Sequence, residues 1–223
     1  MPAADELSPV SAPAMDETAA VPARKRPKPG ERRVQILQAL ATMLEPPGAD
    51  RVTTAALAAR LEVSEAALYR HFASKAQMFE GLIEFIEHTV FALLNQIVPP
   101  GDSAPAASAD TGVRQAGRVV GVLLQFAEKN PGMARVMVGD ALVFENERLQ
   151  QRMNQFFDRV ESTLRQCLRS AAQSAGSDTP TMDAQVRAAV LTAFVMGRLQ
   201  RFTRSGFRRV PSEHLDASLA LML

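Results

Sequence analysis

The sequence predicts an all-α chain made of a three-helix N-terminal head of helix-turn-helix type and a C-terminal helical dimerisation body, and three observations lead there. Through most of residues 31–222 apolar side chains recur at spacings of three and four, the period of one helical face, and nowhere do apolar and polar residues alternate as on a half-buried strand. Three stops, Pro46-Pro47-Gly48, Pro99-Pro100-Gly101 and Asn130-Pro131-Gly132, cut that pattern into helix-length pieces. The stretch from Val52 to Phe79, VTTAALAARLEVSEAALYRHFASKAQMF, holds two short helices across a tight turn and the capped start of a third.

Residues 1–29 are rich in Pro, Ala and Ser with little apolar periodicity, so burial cannot offset the entropy of ordering them, and a disordered tail is expected. The net charge of +1 conceals a sharp reversal there. Residues 1–23 carry Asp5, Glu6, Asp16 and Glu17 and no Lys or Arg, whereas residues 24–33 carry Arg24, Lys25, Arg26, Lys28, Arg32 and Arg33 against Glu31 alone. Such a basic arm beside a DNA-reading head gains affinity by releasing counterions from phosphates, and Arg24, Lys25 and Arg26 can enter a minor groove.

The head is expected over residues 30–75. Its first helix runs from about Glu31 to Glu45, with Val34, Leu37, Leu40, Ala41 and Leu44 on one face. Thr53 and Thr54 can cap the second, where Leu57 and Leu61 share a face and Ala55, Ala56, Ala58 and Ala59 let another helix cross closely. Ser64 caps the third: Leu68 and Phe72 turn inward, and Ala66, Ala67, Tyr69, Arg70 and His71 cover a short polar surface suited to a DNA groove. Ser74 caps the next helix, and Lys75 in its first turn adds a positive charge beside backbone N–H groups that can face a phosphate.

The body is expected over residues 76–223. A rod from Lys75 to Val98 repeats Met78, Leu82, Ile86, Val90, Leu93 and Ile97, with Phe85 outside that stripe, and a Pro/Ala/Ser-rich loop follows from Pro99 to Asp110. Helices are then expected over about Thr111–Lys129, Met133–Val138, Leu142–Ser174, Asp183–Arg204 and Ser212–Met222. The last two carry more apolar surface than a chain terminus exposes, with Ala188, Ala189, Ala193 and Gly197 permitting close contact, which points to a homodimer. Two-fold pairing would set two heads in successive major grooves of a palindromic double-stranded site.

The sequence carries no constellation of residues that points to catalysis or metal binding. His71, His88 and His214 lie far apart and at no metal-ligand spacing, and neither a Gly-rich phosphate loop nor a nucleophile elbow occurs. The lone Cys167, in TLRQCLR, reads as a packing residue. No apolar run approaches the roughly 20 residues of a membrane span, and the N-terminus lacks a signal core. A non-enzymatic, cofactor-free protein of the cytoplasm is therefore expected.

The order Thr53, Val63-Ser64, Leu68-Tyr69-Arg70-His71-Phe72 and Ser74-Lys75 resembles the TetR family of helix-turn-helix regulators. Within it, the runs SEAALYRHFASKAQMFEGLIEFIE, EKNPGMARVMVGDALVFENERLQ and RMNQFFDRVESTLRQCLR are similar to the nucleoid occlusion factors, over about Glu31 to Phe207. The resemblance implies a TetR-like fold, nucleoid association, DNA contacts from Thr53, Thr54, Ser64, Ala66, Ala67, Tyr69, His71 and Lys75, and inhibition of FtsZ, the tubulin-like division GTPase. It places the FtsZ contact at Phe85, Lys129 and Asn130. Two residues depart from the pattern: Glu62 stands at the turn where the family usually has Gly, and Leu93 stands where nucleoid occlusion factors can show a basic residue. The alternative within the family is a ligand-responsive transcriptional repressor, whose pocket Phe126, Phe144, Phe156, Phe157 and Phe194 could line.

Overall fold

The computed structural model describes residues 30–46, 52–99 and 109–223, and its regular elements among these residues are all helical. The tail of residues 1–29, Arg24, Lys25 and Arg26 included, and the stops at Pro47-Gly48 and Pro100-Gly101 lie outside the described residues.

Three helices make the head: α1 (Glu31–Met43), α2 (Thr54–Arg60) and α3 (Glu65–Tyr69). Their inward side chains, Ile36, Leu40, Leu44, Leu57, Leu68 and Phe72, are nearly sealed from solvent. They join Met78, Phe79, Leu82 and Ile83 of α4 (Lys75–Ile97) in one continuous apolar cluster. Burying each such side chain contributes roughly 1.5–3 kcal/mol, so α4 belongs to the head's core at its start and to the body at its end.

The body adds α5 (Ala109–Lys129), α6 (Pro131–Met137), a single 3-10 turn (Asp140–Leu142), α7 (Glu147–Ser174), α8 (Pro180–Arg204) and α9 (Leu215–Met222). Helix α5 returns antiparallel to α4, the two being registered by Gln115 Nε2 donating to Ile97 O at 3.1 Å. Helices α7 and α8 form the most extensively packed pair, with α5 laid across both, and α6 wedges between α1, α4, α5 and α8. The α4–α7 contact is aromatic: Phe91 meets Phe156 edge-on at 5.5 Å, and Arg159 lies 3.9 Å over the Phe91 ring.

Several expected boundaries and faces shift. Helix α1 stops at Met43, capped by Leu44, two residues short of Glu45. Helix α6 begins at Pro131, whose missing N–H costs nothing at a first helical position, so Asn130-Pro131-Gly132 starts a helix as well as ending one. Helix α7 begins at Glu147 and not at Leu142, because Asn146 Oδ1 accepts from Arg148 N at 3.0 Å and the preceding residues coil into the 3-10 turn. On α4 the buried residue is Leu94, while Leu93 is 38% exposed. After Val90 either leucine satisfies a spacing of three or four, and the neighbours that decide come from distant sequence. Helix α9 sets Leu215, Leu219 and Leu223 against Gly117 and Gly121 of its own α5. The open apolar stripe therefore belongs to α8, where Met182, Val186, Ala189, Val190, Ala193 and Gly197 all face outward.

Candidate nucleic-acid interface and its seam with the body

The head is organised by hydroxyl caps. Thr53 Oγ1 accepts from Ala56 N at 3.1 Å, Ser64 Oγ from Ala67 N at 3.3 Å and Ser74 Oγ from Gln77 N at 3.2 Å, one cap at the start of each of α2, α3 and α4. The turn between α2 and α3 closes with Glu62 N on Ala59 O at 3.1 Å and Val63 N on Ala58 O at 3.0 Å, the paired bonds that end a helix on a left-handed residue. That residue is Glu62, with φ 55. The departure from Gly is thus accommodated in the left-handed conformation itself, at roughly 1–2 kcal/mol.

On the surface this presents, Ala66, Tyr69, Arg70 and His71 are exposed and Ala67 is half-buried. Thr53 is exposed beside them, and Thr54 Oγ1 donates to Glu65 Oε2 at 2.6 Å, fastening α2 to the first turn of α3. Arg33, in sequence one more charge of the basic arm, has a structural part in the head. Its guanidinium lies 4.2 Å over the Phe72 ring and donates to His71 O at 3.2 Å, pinning the end of the reading helix to α1. Spacing gave no signal for a contact across this distance in sequence.

Lys75 does more than face outward. Its ammonium is ion-paired with Glu145 of the body while resting 5.7 Å over the Phe79 ring, and it is 26% exposed against 11% for Glu145. A phosphate at the edge of the reading head would share or take this cation. The same seam holds three further contacts. Arg135 Nη1 donates to Leu44 O at 3.4 Å and Pro46 O at 3.3 Å. Arg152 grips Glu87 at 2.7 and 3.3 Å and Glu80 O at 3.4 Å, and the Glu87 carboxylate raises the guanidinium's affinity for its proton. Gly132 brings α6 so close to α1 that an added Cβ would stand 1.9 Å from Ala41 O. Head and body are locked together.

Phe85, off the buried stripe, is 45% exposed on the outer face of α4. Counting back from the Gln115–Ile97 contact at 1.5 Å per residue, Lys129 comes level with about residue 83 of α4. Lys129 is exposed. Asn130 is half-buried and its amide donates to Phe126 O at 2.8 Å, closing the end of α5, while it makes no side-chain bond to the start of α6. Of the candidate pocket phenylalanines, Phe126, Phe156 and Phe157 are buried in the core, Phe194 is half-buried beneath Arg198, and Phe144 is 68% exposed beside Val143. Cys167 is buried, and desolvation pushes its thiol up to about 11, the behaviour of a packing residue. No group of His, Cys, Asp and Glu able to hold a metal occurs among the described residues.

Comparison with known proteins adds the following. Residues 36–82 match the family described as bacterial regulatory proteins, tetR family, and residues 110–223 match the SlmA-like family described as tetracyclin repressor-like, C-terminal domain. The nucleoid occlusion factor SlmA of Vibrio vulnificus (strain YJ016) is 48% identical over 196 residues, covering 87% of this chain and 95% of that one. The nucleoid occlusion factor SlmA of Vibrio cholerae (strain ATCC 39315) is 49% identical over 192 residues, covering 86% and 93%. Among solved structures, the transcriptional regulator FadR from Bacillus subtilis in complex with stearoyl-CoA superposes with a TM-score of 0.64 over 85% of this chain and 96% of that one, at 15% identity, a likeness of fold alone.

Proposed function

The chain belongs to the tetR family of bacterial regulatory proteins and, within it, to the SlmA nucleoid occlusion factors, and from that membership we propose that it acts as a homodimer that binds palindromic chromosomal DNA and, so bound, inhibits FtsZ ring assembly over the nucleoid. As a member of that family it is a DNA-binding protein and not an enzyme. None of its described helices is long and apolar enough to cross a membrane.

The observation that carries this reading is the join between head and body. A reading helix that displays Ala66, Tyr69, Arg70 and His71 is tied through Arg33, Lys75 and Gly132 to a body on which Phe85 and Lys129 are exposed. Thr53, Tyr69, His71 and Lys75 serve phosphates at the groove edge, and Ala66 and Ala67 allow close approach to bases. Arg24, Lys25 and Arg26 extend the electrostatic contact from the tail. The outward stripe of α8 supplies the second copy's docking face, with small residues where helices cross. Phe85 is the apolar anchor for FtsZ, with Lys129 and Asn130 beside it.

A ligand-gated repressor fits less well. Leucines of α9 occupy the glycine side of α5, and the grooves described on the body are open and lined largely by polar side chains, such as Ser162, Arg165, Gln166 and Arg169 between α7 and α8.

The test is sedimentation of FtsZ filaments with the full chain, with and without a palindromic duplex selected from random sequence by the protein itself. Loss of pelleted FtsZ that deepens with duplex is expected. Phe85→Ala combined with Lys129→Ala should abolish that loss and leave duplex affinity within a few fold. Unchanged pelleting with the parent protein, or release from DNA by a small molecule with no effect on FtsZ, would overturn the proposal.

A further inference from the structure

Between Asp183 and Glu213 the chain holds no acidic residue and six arginines, five of them, Arg198, Arg201, Arg204, Arg208 and Arg209, gathered around the end of α8. The segment is ordered. Phe207 folds back to meet Phe202 edge-on at 5.0 Å, and Ser205 Oγ accepts from both Arg208 N and Arg209 N at 3.1 and 2.9 Å. Arg198 is committed, lying 4.9 Å over Phe194 and donating to Ser218 Oγ at 3.0 Å. Arg201, Arg204, Arg208 and Arg209 are exposed, and Glu213 is the carboxylate in the groove that Arg201 and Arg209 line.

The position of this end of α8 is what gives the cluster a ligand. Thr203 Oγ1 bonds Asp140 Oδ2 at 3.3 Å, and Glu145, five residues beyond Asp140, pairs with Lys75 at the edge of the reading head. Five extended residues span at most about 17 Å, so the arginines stand on the head-facing end of the body. Helix α8 also packs on α6, which packs on α1.

Arg201 and Arg204 further continue the outward stripe of Val186, Ala189, Val190, Ala193 and Gly197, at the same spacings of three and four. In the α8-paired homodimer, on which this step rests, the two copies therefore bring like charges together at the head-facing end of their interface. Nothing in the stripe neutralises them. A duplex that spans two heads lays its phosphates over that point.

We propose that Arg201 and Arg204, flanked by Arg208 and Arg209, form a second, sequence-independent phosphate site for duplex DNA, located on the body between the two reading heads. It holds the backbone between the half-sites, relieves the like-charge repulsion at the end of the dimer interface, and adds affinity without reading bases.

The test is the salt dependence of binding to the palindromic duplex by the full chain and by R201Q/R204Q. Four charges per dimer are removed, so the slope of log affinity against log salt should flatten by about two to four, equivalent at the upper limit to roughly a hundredfold smaller loss of affinity between about 50 and about 200 mM salt. R201K/R204K should restore the slope. R114Q/R118Q, which removes as much exposed charge from the opposite end of the body, should leave it unchanged. Sedimentation equilibrium accompanies each variant. A monomeric parent overturns the dimer reading and the central position with it. A dimeric R201Q/R204Q whose slope flattens by less than about two, or a far-end variant that flattens it equally, overturns the phosphate site alone. An unchanged DNA slope with lost binding to anionic phosphatidylglycerol vesicles would assign the cluster to a lipid surface and overturn it as well.

Discussion

Replacing Gly132 with Ala tests whether the head is held to the body by close backbone contact. The added Cβ would stand 1.9 Å from Ala41 O, 2.8 Å from Ala41 C and 3.3 Å from Leu44 Cβ. An ordinary carbon–oxygen contact is about 3.3 Å, so α6 and the last turn of α1 must separate by about 1.4 Å. No side-chain rotation absorbs this, because the obstacle is the backbone. Retreat is resisted by the buried Met133, Ala134, Val136 and Met137 and by the Arg135 bonds to Leu44 O and Pro46 O. Overpacking of this kind costs about 1–3 kcal/mol, and Ala's better helix propensity returns less than about 1 kcal/mol. For a chain of this size each kcal/mol moves the midpoint by about 2–4 °C. Because the obstacle is backbone, the cost lies in the upper part of that range, about 2–3 kcal/mol, and scanning calorimetry of Gly132→Ala should show a fall of roughly 2–12 °C. In the proposed homodimer the seam sets the spacing of the heads, so affinity for the palindrome should drop while affinity for a single half-site holds. A midpoint within about 1 °C of the parent would refute the reasoning.

Three further outcomes follow from single contacts. Glu145→Gln releases Lys75 from the body, so duplex affinity at low salt should rise several fold while the midpoint falls by a few degrees; weaker DNA binding would mean that Glu145 positions Lys75 for the phosphate instead of competing with it. Glu62→Gly should be more stable than Glu62→Ala by roughly 0.5–1 kcal/mol in urea titration, since both lose the side chain and only Ala keeps the left-handed penalty at φ 55; equal stability would mean that the turn relaxes out of that conformation. The Ser177 hydroxyl, at 2.6 Å, and then the Thr179 hydroxyl, at 3.1 Å, hold the Asp183 carboxyl below the usual range. Its folded pKa lies under its unfolded one, so it stabilises above about pH 4 and that contribution is lost as pH falls through the folded value. Asp183→Asn should flatten the acid limb of the stability profile measured by urea titration, and an unaltered limb would count against the two hydroxyl contacts as a source of stability.

What was legible in the sequence was what is decided locally. The caps Thr53, Ser64 and Ser74 and the outward Phe85 depend on neighbours a few residues away, and each appears where spacing put it. Contacts between distant elements were not. Leu93 and Leu94 are equivalent to a periodicity argument, and only the packing around α4 separates them. Arg33 reads as one more charge in a basic run until Phe72 and the His71 carbonyl meet it. Gly132 reads as punctuation between Asn130-Pro131 and the next helix. One signal was available: a glycine inside a helix costs about 1 kcal/mol against alanine, so its presence calls for a close approach. Ala41 O is that approach.

The chemical differences among the seam contacts limit how strongly DNA can influence the partner face. The Gly132 contact is steric, the Arg135 bonds run to backbone carbonyls, and Arg152 is held by Glu87, away from the reading surface; a phosphate at the head's edge alters none of these directly. Lys75 is the exception, because the cation paired with Glu145 is the one proposed to serve the DNA edge. A ligand shifts an equilibrium only by its differential interaction with the two states. The part-buried Lys75–Glu145 pair is worth roughly 1–2 kcal/mol after screening. Coupling through it alone therefore corresponds to about a 5- to 30-fold change in affinity for FtsZ on binding DNA, and by linkage FtsZ tightens or loosens DNA by the same factor. Titrating FtsZ onto the chain with and without duplex, and then onto Glu145→Gln, measures that factor directly. A DNA effect beyond about a hundredfold, or one that survives intact in Glu145→Gln, would mean that the two heads move relative to the paired bodies as rigid units and that the ion pair only rides on that motion.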